Sequence, residues 1–515
     1  MSTSQKIKNV VIVGGGTAGW IAATVLLDRL SPRIKLTLVE PKDIPIIGVG
    51  ESTTGRFTDL ILKCLHLQDE NEFLRETGST FKYGTYHTNW TKMGRPFCSP
   101  FGGNFPNNHG GPHADYDYVR MYHIAENIPF NYTLQSQLML NHKAHILKNG
   151  EPLTKDSFVD RGYHLDTYRV GDYLRRKALG TKRIKRIEDK VTKVNLTEDG
   201  SIDSLLLSGG KIIDGDLFID CTGFKRVLIN ELDSGWVSYD EHLLVNRALP
   251  FYSDYKDEND PIKTYTHVWA QKYGWLWEIP LQERVGCGYV YNDTFTTPEK
   301  AQEEIETVLG HKIEPKGDIK FNSGRLKKFW NKNVLSTGLS SAFIEPIEAT
   351  SIHNTILQLT YFTENYFHDG LDMSSVEDLQ SSYNEQMVWM WDDIADFLTF
   401  HYISDRDDTE FWKEASSPER WSDDLKLKLR KWKTRMPRVI DYLEARIPYF
   451  YNLGDGLWYH MAFGMGLLDS KLAKHELDYY GLYEKAKSHF KSIQKFSGES
   501  VLNAATTNQF FREMI

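Results

Sequence analysis

Lys8-Asn-Val10-Val-Ile-Val13-Gly14-Gly15-Gly16-Thr17-Ala18-Gly19 reads as a short apolar strand that runs into a glycine turn and then a helix. The helix is expected to reach about Leu30. Ile34-Lys-Leu-Thr-Leu-Val-Glu40 then forms a second strand, which completes a βαβ unit. Gly14, Gly16 and Gly19 fit the spacing G-x-G-x-x-G. In that spacing the first glycine permits the tight turn, the second lets the backbone approach a pyrophosphate, and the third lets helix and strand pack closely. A phosphate would rest on the helix start at Thr17 and Ala18, where free N–H groups and the helix dipole favour an anion. Glu40 ends the second strand about 20 residues on, where a carboxylate binds ribose hydroxyls. This motif alone does not separate FAD from NAD.

Two later stretches extend the nucleotide fold. Asp216-Leu-Phe-Ile-Asp220-Cys-Thr222-Gly223 and Asn333-Val-Leu-Ser-Thr-Gly338 are strands ending in small-residue turns. In flavoproteins with two dinucleotide folds, such strands bring the chain back to the flavin, so they favour FAD. Between about residues 80 and 340, strand-like runs alternate with turns, as at Lys211–Ile219, Trp275–Ile279 and Cys287–Tyr291. From about Ser374 the pattern turns helical. Met387, Trp391, Ile394 and Leu398 share one helical face.

Composition narrows the function classes. A chain of 515 residues suggests two or three lobes, at roughly 100–200 residues each. A net charge of −9 argues against a nucleic-acid binder. The four cysteines, Cys64, Cys98, Cys221 and Cys287, form no C-x-x-C pair, so neither a zinc site nor a disulfide framework is indicated. The longest apolar run falls far short of the ~20 residues that span a bilayer, and no cleavage-type sequence follows the polar N-terminal lead. A cytoplasmic protein with reduced thiols is the simplest reading. The 13 Trp, 27 Tyr and 26 Phe suit flat ligands as well as a core.

Several further segments carry chemistry. Gly48-Val-Gly50-Glu51-Ser52-Thr53 is a glycine loop holding a carboxylate. Thr80-Phe81-Lys82-Tyr83-Gly84 precedes Asn89-Trp90. In Gly274-Trp275-Leu276-Trp277-Glu278-Ile279-Pro280, strand alternation puts both tryptophans on one face. Ser341-Ala-Phe343-Ile-Glu345-Pro346-Ile-Glu348-Ala349-Thr350-Ser351 sets two carboxylates just ahead of two hydroxyl residues. Phe97-Cys98-Ser99-Pro100-Phe101-Gly102, the helix Trp391–Tyr402 with Arg406-Asp-Asp-Thr409-Glu-Phe-Trp412, and Trp458 ahead of Gly464-Met-Gly466 complete the set. Together these resemble the flavin-dependent tryptophan halogenase family, over most of the chain to about residue 470. The matching family stretches are G-x-G-E-[SA]-T, T-F-K-x-G, W-x-W-x-I-P, F-x-E-P-L-E-S-T-G, H-P-F-G and R-D-D-T-x-F-W.

The resemblance implies an α/β, Rossmann-type two-dinucleotide-binding fold that holds FAD. It has an interleaved mixed or antiparallel sheet within residues 1–375 and a helical C-terminal lobe, 376–515, that completes the substrate pocket. It implies oxygen-dependent halogenation with chloride, bromide or iodide. Reduced FAD would come from a separate flavin reductase, since no second dinucleotide motif is evident. Gly50, Glu51, Ser52 and Gly338 carry over as flavin-side residues. The N–H groups of Thr350 and Ser351 carry over as the halide site, and Trp275 and Trp277 as a wall between flavin and substrate. Lys82 would guide hypohalous acid, by a hydrogen bond from its ammonium or as a haloamine. Glu348 would stabilise the cationic ring or remove its proton. Phe101, Ser99 and Trp458 would line the substrate, an electron-rich indole, pyrrole or phenol.

Three positions depart from the family. Ala349 replaces its serine, Ser351 its glycine, and Ser99 its histidine. Serine for glycine is expected to restrict the backbone. The C-terminal stretch that grips the amino acid group of tryptophan does not align, so another aromatic than free tryptophan is expected. Tyr449, Phe450, Tyr451, Trp458 and Tyr459 either line a different pocket or pack the helical lobe. The rival readings are a hydroxylating flavin monooxygenase and a non-catalytic carrier on the same nucleotide fold. Self-association is left open.

Overall fold

The structure, a computed structural model, describes residues 6–515 except 43–47, 49, 68, 93, 102–117, 154–158, 369, 439–440 and 442–450, and the side chains of 451–456. The chain forms two units. The first comprises Met1–Gly78, Leu165–Asp240 and Asn322–Asp392; the second comprises Ser79–His164, Glu241–Phe321 and Asp393–Ile515.

The first unit is built on a six-stranded sheet in the order Trp330–Asn331, Val334–Ser336, Leu217–Asp220, Asn9–Val13, Lys35–Glu40, Ile184–Glu188. Every pairing is parallel except the edge hairpin Trp330–Ser336. Asn9–Val13 lies at the centre, which suits its unbroken apolar run, since a central parallel strand is covered on both faces. The helix Thr17–Arg29 follows the glycine turn as expected. Val11, Val13, Phe218 and Val334 pack against Leu205 and Leu207 of a three-stranded antiparallel sheet, Val191–Asp214.

The run Lys211–Ile219, read as one strand, is two: Ile212–Asp214 and Leu217–Asp220 belong to different sheets. The break lies at Gly215-Asp216. There the Asp216 carboxylate accepts the N–H groups of Lys8 and Asn9 at 2.7 and 2.8 Å, which steers the chain into the parallel sheet.

The second unit is built on a seven-stranded sheet in the order Ile319–Lys320, Arg247–Ser253, Val285–Tyr291, Gly274–Pro280, Tyr265–Ala270, Gly84–Thr88, Phe97–Pro100. One pairing within it, Tyr265–Ala270 with Gly84–Thr88, is parallel. Leu276 faces a core of Leu249, Phe251 and Tyr289, closed by Ala301 and Ile305 of the helix Pro298–Leu309. The helices Tyr118–Ala125, Leu134–Leu140, Ser470–Tyr479 and Tyr483–Asn503 pack together, and Ala504–Thr506 pairs with Lys143–Leu147.

The single boundary expected near residue 375 is not the division observed. The unit boundary there falls at Asp392, inside the helix Glu377–His401. The first sheet takes its strands from three separated stretches of chain, so the polypeptide leaves and re-enters each unit. On that helix Met387, Trp391, Ile394 and Leu398 are buried, as their spacing requires. Among the described residues, no helix is long and apolar enough to cross a membrane.

Candidate active site

The glycine turn has the shape of a phosphate cradle. A Cβ at Gly14, whose φ is +110°, would lie 2.3 Å from the Cys221 carbonyl oxygen, and one at Gly19 would lie 1.9 Å from that of Gly14. A Cβ at Gly16 would meet nothing within 4 Å. The outer glycines are therefore needed for close packing, whereas the middle one borders open space. The helix beginning at Thr17 has no side-chain cap on its first turn, so the N–H groups of Thr17, Ala18 and Gly19 are oriented for an anion. Glu40 is buried beside Gly15 and is held at 2.5 Å by Arg186 Nε. Gly338, at φ +66°, abuts Ala18, so the second return strand reaches the same helix end. These residues fit the pyrophosphate and ribose of FAD.

Gly50, Glu51 and Ser52 follow in the same unit; Val49 of that loop lies outside the described residues. Burial pushes the Glu51 carboxyl up to about 7, although the residue keeps part of its surface in contact with solvent. Thr54 caps the next helix and lies 2.6 Å, Oγ1 to Nδ1, from His353, which ties the loop to the helix Thr350–Asn365. Burial, then the nearby charge of Arg56, lowers the His353 imidazole to about 3, so it is neutral at ordinary pH.

Glu348 ends a short 3-10 turn, Pro346–Glu348, and is buried. Ala349 then adopts a left-handed conformation, φ 56° and ψ 35°, and serves as N-cap without a side-chain hydrogen bond. Thr350 and Ser351 open the helix. Ser351 is an ordinary helical residue, so the serine-for-glycine change does not impose the restriction expected at 351. The constraint falls on Ala349, where a left-handed non-glycine residue costs roughly 1–2 kcal/mol.

In the second unit, Lys82 ends the strand Thr80–Lys82, which pairs with Gly162–Leu165. Its side chain is fully buried, with Nζ 5.1 Å from the centroid of the Phe101 ring. Thr80 Oγ1 donates to the Pro280 carbonyl at 2.6 Å, so this strand is tied to the end of the tryptophan strand. His164 is held by Thr80 and Thr266 at 3.2 and 3.1 Å. Burial, and then the charge of Lys82, pushes His164 well below the usual imidazole range. Burial does the same to His87, with His401, His267 and Lys82 adding to it. Lys82 therefore sits among neutral imidazoles.

Trp275 and Trp277 share a face, their rings 6.1 Å apart and tilted by 56°. Ser99 is buried with Oγ 3.5 Å from His460 Nδ1, so an imidazole from the helix Tyr451–Gly464 lies beside this serine. Trp458 is only 3% exposed. Its ring packs against Phe397, Phe400 and Trp432 at 4.9, 4.8 and 6.0 Å, with Lys428 Nζ 4.7 Å from its centre. Tyr459 donates to the Pro437 carbonyl at 2.9 Å. These two members of the expected aromatic cluster are thus built into helical packing; Tyr449, Phe450, the Tyr451 side chain and Gly102 lie outside the described residues. The sequence reading missed His87, His164, His353 and His460, because no motif marks them and only strand and helix pairing brings them to these places.

The sequence model of the tryptophan halogenase family matches residues 9–476. The chain belongs to that family. It is 31% identical over 452 residues to tryptophan 7-halogenase RebH of Lentzea aerocolonigenes, covering 84% of this chain and 83% of that one. It is 29% identical to tryptophan 6-halogenase ThaL of Streptomyces albogriseolus, covering 90% of each. The crystal structure of a tryptophan halogenase from Shewanella frigidimarina superposes with a TM-score of 0.87 at 28% identity, covering 99% of this chain and 98% of that one. Xcc4156, a flavin-dependent halogenase from Xanthomonas campestris, gives 0.81 at 28% identity, covering 98% of each. The halogenase is thus an FAD-dependent enzyme on a Rossmann-type fold, and its reduced FAD comes from a separate flavin reductase.

Proposed function

We propose that this halogenase transfers an oxidised halogen to an electron-rich aromatic small molecule, with Lys82 presenting the halogen and Glu348 handling the ring proton. The observation that carries the reading is the fully buried amine of Lys82, set 5.1 Å from the Phe101 ring among neutral imidazoles. When bound, reduced FAD with oxygen supplies the two-electron oxidation that converts halide into hypohalous acid. The N–H groups of Thr350 and Ser351 hold the halide at the uncapped helix start. The ammonium of Lys82 donates to hypohalous acid and positions it, or the neutral amine forms a haloamine; both routes need nitrogen at this place. Glu348 offsets the positive charge of the attacked ring and removes its proton, which is general-base work. The rigid pair Trp275 and Trp277 walls the substrate off from the flavin, which favours halogenation over hydroxylation.

Relatives named tryptophan 6- and 7-halogenases make indoles the first rings to test. Ser99, in place of the family histidine, and the unaligned C-terminal stretch favour an aromatic other than free tryptophan, bound in the cytoplasm. The test incubates the halogenase with FAD, a flavin reductase, NADH and each of chloride, bromide and iodide, over a panel of indoles, phenols and pyrroles. Mass spectrometry is expected to show halide-dependent replacement of one ring hydrogen by halogen. Products that gain oxygen regardless of halide would make it a hydroxylase.

A further inference from the structure

On the helix Thr350–Asn365, three buried side chains on one face carry polar atoms without a hydrogen-bond partner among the described residues. They are Thr350 Oγ1, both amide atoms of Asn354, and Gln358 Nε2. Their spacing of four residues places them along a single stripe. Thr350 is 5%, Asn354 0% and Gln358 1% exposed. The Gln358 amide is anchored by its oxygen, which accepts from Thr337 and Ser341 at 2.9 and 3.3 Å. Asn354 has no such anchor. A buried amide left without partners costs about 1–3 kcal/mol for each unmet group, and native proteins retain such groups where a ligand, ion or water satisfies them.

Helix geometry gives the direction of the Asn354 side chain. Side chains on a helix lean back toward its N-terminus and cover the residues three and four positions earlier. For Asn354 those are Ser351 and Thr350, the opening turn of the helix. That turn has no side-chain cap, since its N-cap is the methyl-bearing Ala349. The Asn354 amide thus leans toward the helix end that carries the backbone N–H groups and the Thr350 hydroxyl.

We propose that the Thr350 and Asn354 side chains complete a buried halide pocket with these N–H groups, and that Asn354 governs which halide is held. The proposal rests on reading the helix start as the halide site. Chloride has the higher charge density and the stronger hydration, so it depends more on the extra amide donor than bromide does.

The experiment titrates sodium chloride and sodium bromide, at constant ionic strength with sodium gluconate, into the halogenase and its variants Asn354→Leu and Thr350→Val. It follows tryptophan fluorescence and melting temperature without flavin, and halide KM with saturating FAD and reductase. Asn354→Leu is expected to fold with an unchanged or higher melting temperature, because it replaces an unmet amide by an apolar group of similar size. It should weaken chloride by about tenfold or more, in line with a hydrogen bond to a charged group, and bromide by less, with FAD affinity unchanged. Thr350→Val should weaken both halides. Equal halide constants in wild type and both variants overturn the proposal, as does a loss of FAD affinity with halide binding intact, which would assign the amide to the flavin. A wild-type protein that shows no saturation by either halide would instead sink the halide reading of the site itself.

Discussion

Lys82 shows what burial does to a residue that would otherwise be an ordinary strand lysine. It has no exposed surface, and the neighbouring His87 and His164 are held neutral by burial. Lys82→Met keeps the length and apolar bulk of the side chain and removes the nitrogen. It is expected to bind FAD normally, read by flavin fluorescence, and to give no halogenated product by mass spectrometry. Glu348→Gln is expected to slow product formation by about 10²–10⁴, the usual cost of a lost acid–base group. Glu51 carries a stability prediction. Its carboxyl is raised from 4.5 to about 7 by burial, so the folded state holds a proton that the unfolded chain releases earlier. The associated stability is fully present below pH 4.5 and is lost as pH rises through about 7. In flavin-free protein, the urea midpoint should fall across that window, and Glu51→Gln should flatten the slope.

Elements decide which way the proposed site residues face. The strand Gly274–Pro280 exposes Leu276 to the core of the second unit and turns Trp275 and Trp277 the other way, because successive side chains alternate. The Trp277 indole lies over Gly288 of the neighbouring strand, where a Cβ would approach to 2.1 Å. Gly288→Ala must therefore push the indole aside. It is expected to destabilise the protein by about 1–3 kcal/mol, the range for overpacking, in a denaturant titration. If the pair walls the substrate off as proposed, the displaced indole should also raise the share of reduced flavin consumed without halogenated product, measured as hydrogen peroxide released per product formed. The helix Thr350–Asn365 starts after a left-handed alanine, and Ala349→Gly should raise stability by up to about 1 kcal/mol by relieving that conformation, less the extra chain entropy of glycine.

At the scale of the molecule, each unit is assembled from three stretches of chain. The nucleotide motif lies in one unit, together with Glu348, Thr350 and Ser351; Lys82, Phe101, Trp275 and Trp277 lie in the other. The reduced FAD comes from a separate flavin reductase, as in the family. With FAD and NADPH alone, turnover should be absent, and adding a flavin reductase should restore it, followed as product per NADPH oxidised.

The opening βαβ unit was legible because its signals are local: an apolar strand, three glycines at set spacing and an acid at the next strand end. Strand alternation likewise determined that Trp275 and Trp277 face the same way, and helical spacing determined the buried face of Glu377–His401. Other features depend on pairing between distant residues. Ser99 meets His460 across 361 positions of chain, the run Lys211–Ile219 splits because Asp216 is taken by Lys8 and Asn9, and Trp458, which the sequence marks, is enclosed by three aromatic neighbours that it does not mark. Periodicity and turn chemistry act over a few bonds and are written in the order of residues. Burial, and the charge states and unmet hydrogen bonds that follow from it, exists only once remote segments have packed and excluded water, so the tertiary structure alone decided them.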